Sequence, residues 1–216
     1  MMASILRAGS RLQRLMATLT AVVGFNFLFG SGVDTKLFYD GFIERAMGII
    51  LSERKGLSYD FARQVAIAVN KWSTIYGYDK WMALAFISVE SNSFVNAYNR
   101  RDGSYGLGQL KEATAREVAG KIGIGYRREW LVDWESYNIR LSIYYMKWLT
   151  DYYNGDLAKA TAAYNQGMGK VNRSLKEKRF LSERRHRLHV DRVMRKYKEY
   201  KTPKSEISTP QIPKSK

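Results

Sequence analysis

Tyr76-Gly77-Tyr78-Asp79 leads into the apolar run Trp81-Met82-Ala83-Leu84-Ala85-Phe86-Ile87-Ser88-Val89, which ends on Glu90-Ser91. Nearly every position from Trp81 to Val89 is apolar, so no face is left for water. Such a run is a buried helix or a buried strand, and periodicity alone does not separate the two. Met82, Ala83, Leu84 and Ala85 favour a helix and β-branched residues are few, so a helix is the expectation. A carboxylate then stands in the last turn of a buried helix. Burial and the partial negative charge of a helix C-terminus both favour the protonated form of a carboxyl group placed there. A protonated carboxyl is what a general acid requires. Glutamate at a helix end most often marks only the point where the helix meets solvent, so Glu90 gains weight only from motifs farther along the chain.

A polar loop runs on to Gly106-Leu107-Gly108-Gln109. Two glycines around one apolar residue allow a tight backbone path close to a ligand or another segment. Gln109 offers donors and acceptors suited to a sugar hydroxyl or an N-acetyl group. An ordinary turn explains this tetrapeptide equally well. Farther on, Ala162-Ala163-Tyr164-Asn165-Gln166-Gly167 follows Leu157, Ala160 and Thr161 at helical spacing, which continues to Met168 and turns Tyr164 inward. A core aromatic with a satisfied hydroxyl would look the same.

Taken in order, Glu90-Ser91, Gly-Leu-Gly-Gln, Asn138 early in a helix and Ala-Tyr-Asn-Gln-Gly resemble the motifs of the soluble lytic transglycosylase family, whose fold is lysozyme-like and related to goose-type lysozyme. The resemblance runs from about Leu57 to about Tyr200 and includes Tyr76-Gly77-Tyr78-Asp79. It implies that Glu90 is the catalytic acid and that Ser91, Gln109, Tyr164 and Asn165 line the substrate cleft, with Tyr164 hydrogen-bonding and orienting Glu90. The substrate it implies is the glycan strand of peptidoglycan, cut between N-acetylmuramic acid and N-acetylglucosamine without water to leave a 1,6-anhydro end. No cofactor and no metal are implied. This chain departs from the family in having Gly108 where a bulky residue, often Met, is usual, and Glu112 where Pro is usual. Its loop from Glu90 to Gln109 is about one residue longer. These departures bear on the shape of the subsites.

The remainder of the chain frames that domain. With 216 residues and 45% hydrophobic content, one sizeable core is expected. The absence of cysteine excludes disulfides, thiolate chemistry and a lipid anchor on an N-terminal cysteine. A net charge of +16 favours anionic surroundings. Arg7, Arg11 and Arg14 precede an uncharged, weakly apolar stretch over residues 15–33, the pattern of a signal peptide or membrane anchor. A mitochondrial-type transit peptide and a packed N-terminal helix are the alternatives. Residues 1–33 are therefore read as a segment for export or anchoring, facing the catalytic domain to the periplasm or cell wall. Residues 34–200 are the catalytic domain and 201–216 a Pro-, Lys- and Ser-rich tail expected to be disordered.

Within the domain, helices are expected over Phe38–Glu53, from a Ser58 cap to Gly77, over Lys111–Gly120, and along the stripe Tyr137, Leu141, Tyr144, Tyr145, Trp148, Leu149 and Tyr152. No segment alternates with period two, so the fold class is all-α. Beyond Gly169 the chain turns strongly basic, and Leu188, Val190, Val193, Met194, Tyr197 and Tyr200 suggest a closing helix packed on the domain. Its outer face suits anionic surfaces, while its few aromatics argue against specific nucleic-acid binding. His186 and His189 lack an evident third ligand, so no metal site is expected. A second carboxylate would be needed for a goose-type-lysozyme-like hydrolase, and Asp102 is the candidate. A non-catalytic basic protein binding cell wall or nucleic acid is the other alternative.

Overall fold

The computed structural model describes residues 41–180 and 184–202. The segment read as a signal or anchor and the tail beyond Thr202 lie outside the described residues. Among those residues, the chain begins with α1 (Gly41–Glu53), followed by α2 (Tyr59–Tyr76) and α3 (Lys80–Glu90). The punctuation at Ser58 and Gly77 is that expected from sequence. Ser58 accepts the Phe61 N–H at 3.1 Å, and Gly77 closes α2 in the left-handed region at φ 62°. Asp79 caps α3 by accepting the Trp81 and Met82 N–H groups, each at 2.9 Å. The apolar run is a helix, and every residue from Met82 to Val89 is buried.

Three two-residue strands follow: β1 (Tyr98–Asn99), β2 (Ser104–Tyr105) and β3 (Leu110–Lys111), antiparallel in the order β1-β2-β3. Tyr98 pairs with Tyr105, and Ser104 with Lys111. Strands of two residues are too short to show a period, which is why the sequence reads as purely helical. Then come α4 (Glu112–Lys121), α5 (Trp130–Asp133), α6 (Glu135–Tyr152), α7 (Leu157–Gln166), α8 (Met168–Lys176) and α9 (Arg184–Lys201). Lys201, placed by sequence in the tail, belongs to the last turn of α9.

The main core gathers α1, α2, α3, α6, α7 and α9 around Ile50, Val65, Leu84, Phe86 and Ile143. A smaller cluster of Leu110, Ala115, Val118, Leu131 and Leu141 lies where β3 and α4 meet α6. Tyr164 packs against both clusters, so it sits at their junction. The closing helix packs as expected through Val190, Val193 and Tyr200. Leu188, grouped with them by sequence, is instead 49% exposed, because it falls off the stripe that those residues make at spacings of three and seven. No described helix is long and apolar enough to cross a membrane.

Candidate active site

Glu90 ends α3 with its side chain 9% exposed. The turn that releases the chain from the helix is strained: Asn92, Ser93 and Phe94 all have positive φ, at 50°, 65° and 66°. Left-handed backbone costs a non-glycine residue about 1–2 kcal/mol, so other contacts must hold this turn. Ser91 supplies two of them, donating its hydroxyl to the Ile87 carbonyl at 2.6 Å and accepting the Phe94 N–H at 2.8 Å. Ser93 N–H donates to the Ser88 carbonyl at 2.8 Å, and the Phe94 side chain is buried in the core. Ser91 is itself only 2% exposed. Expected at the cleft surface, its hydroxyl is instead spent on the turn that fixes the end of α3.

The Gly106–Gln109 loop is pinned by Asn138, which is fully buried near the start of α6. Asn138 accepts the Gly108 N–H at 2.7 Å and donates to the Tyr105 and Leu131 carbonyls at 2.9 and 3.0 Å. The approach leaves no room for a side chain at Gly106 or Gly108. A Cβ on Gly106, which also has φ 69°, would come within 2.1 Å of the Leu131 carbonyl oxygen. A Cβ on Gly108 would lie 1.8 Å from Ser142 Oγ. Gly108, the departure noted in the sequence, is thus matched by Ser142 across the gap. Gln109 is tied inward, accepting the Ser104 hydroxyl at 2.7 Å and donating to the Gly106 and Ala97 carbonyls at 2.8 and 3.2 Å. Its amide is largely used within the loop.

Tyr164 projects from α7 with its ring edge-on to Phe86, centroids 4.4 Å apart. Burial first, and then the Glu90 charge, push its hydroxyl well above the ordinary tyrosine value, so it remains a donor. That donation goes to the Gly108 carbonyl at 2.8 Å. The expected hydrogen bond from Tyr164 to Glu90 is therefore not made in this structure; the hydroxyl braces the loop wall beside Glu90. Asn165, the next residue, is exposed. Asp102 is also exposed, and its Oδ1 accepts the Ser104 N–H at 3.2 Å and lies 2.7 Å from the Ser104 hydroxyl, whose one proton it shares with Gln109, the work of a turn residue.

The other wall is α9, which packs along α3 and is tied by three polar contacts to α3 and to Glu53 of α1. At the start of α3, Asp79 Oδ2 meets Tyr197 Oη at 3.0 Å and Lys201 Nζ at 3.2 Å. In the last turn of α3, Ser88 donates to Glu53 Oε2 of α1, whose Oε1 accepts from Lys196 and Tyr200 of α9. Burial pushes the Glu53 carboxyl up, but the hydrogen bonds from Lys196, Ser88 and Tyr200 outweigh it and leave the group below its ordinary value. At the end of α3, His189 Nε2 lies 3.1 Å from Glu90 Oε1. That is hydrogen-bonding distance without hydrogen-bonding alignment, and both atoms are buried with no other partner. In the sequence His189 stands out only as half of a weak metal pair. Nothing near Glu90 along the chain announces it, because only the packing of the closing helix brings the two together.

A model of the transglycosylase SLT domain matches residues 67–186, which takes in Glu90, the Gly106–Gln109 loop and Tyr164. Among solved structures, an inactive mutant of the lytic transglycosylase Slt from Pseudomonas aeruginosa superposes with a TM-score of 0.58 at 24% identity. The match covers 77% of this chain and 29% of that one. The 70 kDa soluble lytic transglycosylase of Escherichia coli gives 0.57 at 20% identity, over 74% of this chain and 29% of its own. The chain thus spans under a third of either protein, and at these identities the likeness is one of fold. No curated protein sequence matches the chain. The domain match covers more than half of the sequence and includes the helix end, the loop and the tyrosine assembled above, so this chain belongs to the transglycosylase SLT domain family.

Proposed function

We propose that this chain is a peptidoglycan lytic transglycosylase in which Glu90 acts as both acid and base. The observation that carries the reading is the place of Glu90: one carboxyl group, 9% exposed, at the end of a buried helix and between two braced walls. Membership of the SLT domain family and the names of the two structural relatives support the substrate class. In the proposed reaction Glu90 gives its proton to the glycosidic oxygen as the bond to C1 of N-acetylmuramic acid breaks. The 6-hydroxyl of the same sugar then closes on C1 and returns its proton to Glu90. One bond to C1 is exchanged for another and no water is consumed. A two-carboxylate hydrolase would need a second acid beside the scissile bond, and Asp102, the candidate, is exposed and occupied with its own turn.

Mass spectrometry of muropeptides released from purified peptidoglycan tests the reading. Products ending in 1,6-anhydro sugar support it; products heavier by one water overturn it in favour of hydrolysis. The same reading places the work outside the cytoplasmic membrane, with residues 1–33 as the route there and the exposed Arg192, Arg195 and Lys198 of α9 turned to anionic wall or lipid. Fractionation of an expressing host checks this. A chain starting near Val33 in the periplasm marks a cleaved signal, full length in membranes marks an anchor, and full-length protein confined to the cytoplasm refutes export.

A further inference from the structure

Of the three polar contacts that α9 makes with α3 and with Glu53 of α1, two are saturated, while the one at Glu90 is not. Glu90 Oε1 and His189 Nε2 face each other at 3.1 Å, and neither has another hydrogen-bonding partner. Leaving two buried polar atoms unpaired is unfavourable. Catalytic hydrogen bonds are commonly misaligned in a free enzyme and tighten in the complex. The register of α9 is set independently, by Asp79 with Lys201 and by Glu53 with Lys196, so His189 is carried to Glu90 by contacts that Glu90 does not make. Tyr164, whose hydroxyl feels the Glu90 charge, donates its hydrogen bond to the Gly108 carbonyl instead.

We infer that His189 is the positioning residue for Glu90, its Nε2 N–H holding one carboxyl oxygen and leaving the other for the substrate. The inference rests on the reaction proposed above. With the imidazole proton on Nε2, Oε1 is an acceptor and the carboxyl proton sits on Oε2, the oxygen left to face the glycosidic bond. Once that proton has gone to the leaving sugar, the same N–H stabilises the carboxylate that remains. Oε2 is then the atom that takes the proton of the 6-hydroxyl. Both proton transfers pass through one oxygen, and His189 is what distinguishes it from its twin.

The chain has only two histidines, so imidazole NMR can test the contact directly. In full-length 15N-labelled protein, His186→Gln identifies the resonances of His189. Glu90→Gln is expected to shift the Nε2 resonance of His189 and leave His186 in place; an unmoved His189 overturns the contact. Kinetics on peptidoglycan then test its use. His189→Phe keeps the ring shape and removes the N–H, and is expected to lower kcat by about 10²-fold with little change in KM. His189→Gln restores an N–H donor at similar reach and should recover part of that loss. Wild-type kcat in His189→Phe, or equal losses in both variants at unchanged melting temperature, overturns the positioning role. An inactive wild-type protein whose His189 signal still responds to Glu90→Gln would reject the proposed reaction and uphold the contact.

Discussion

The Gly106–Gln109 loop and helix α9 both close on the end of α3, and they are held by different forces. The loop wall is neutral: Asn138 and Tyr164 brace it through an amide and a hydroxyl, and Ser142 fills the space beside Gly108 too tightly for a single added carbon. The helix wall is charged: Glu53, Lys196, Asp79 and Lys201 join it to α1 and α3. Steric fit and neutral hydrogen bonds change little with pH, whereas ion pairs exist only while their carboxylates are ionised. One side of the site is thus set by shape and the other by electrostatics. Glu90 lies where the two meet.

The largest effect separates the acid from both of its walls. Glu90→Gln keeps shape and polarity but neither gives nor takes the proton, so activity on peptidoglycan is expected to fall by about 10²–10⁴. Asp102→Asn, assayed alongside, should cost far less, and equal losses would restore the two-carboxylate alternative.

The neutral wall is tested next. Asn138→Ala strands the Gly108 N–H and the carbonyls of Tyr105 and Leu131. Each buried group left unpaired costs about 1–3 kcal/mol, so denaturant titration should show a loss above about 3 kcal/mol. Gly108→Ala drives a Cβ onto Ser142 Oγ and should cost about 1–3 kcal/mol, as overpacking does. Ser142→Gly in the same chain should return most of it; simple additivity of the two changes would show that the gap is not shared. Tyr164→Phe should cost least, about 0.5–1.5 kcal/mol for one hydrogen bond to Gly108. A much larger loss of activity than of stability would mean that the loop must be held for turnover as well as for folding.

The charged wall gives the gentlest and most diagnostic signature, a dependence on acid. The Glu53 carboxyl lies below its ordinary value of 4.5 in the folded chain. Its ion pair therefore stabilises the fold above that ordinary value, and the contribution drains away as pH falls from there through the lower folded value. Asp79 is held down too, burial being outweighed by the Met82 N–H, Lys201 and Tyr197. Glu53→Gln should flatten the acid limb of a stability–pH curve and leave the neutral range as its baseline. An unchanged acid limb would mean that the Glu53 ion pair adds nothing to it, leaving α9 held by Asp79 with Lys201 and by the packing of Val190, Val193 and Tyr200.

Much of this molecule is written locally. The caps at Ser58, Gly77 and Asp79, the buried run ending on Glu90, and the tyrosine helix all come from the preferences of neighbouring residues, which act over a turn or less. The SLT motifs are likewise short and ordered, so the family is readable before any geometry. The features that the sequence does not disclose are non-local. Ser91 lies inside because three left-handed residues after it need its hydroxyl. Tyr164 donates to Gly108 because the loop, not Glu90, comes within reach of its hydroxyl. His189 meets Glu90 only because α9 is set in register by Glu53 and Asp79 far back in the chain. Periodicity shows that a helix has an inner face, but which residues it meets there is decided when the helix docks. At Glu90 that docking supplies the histidine.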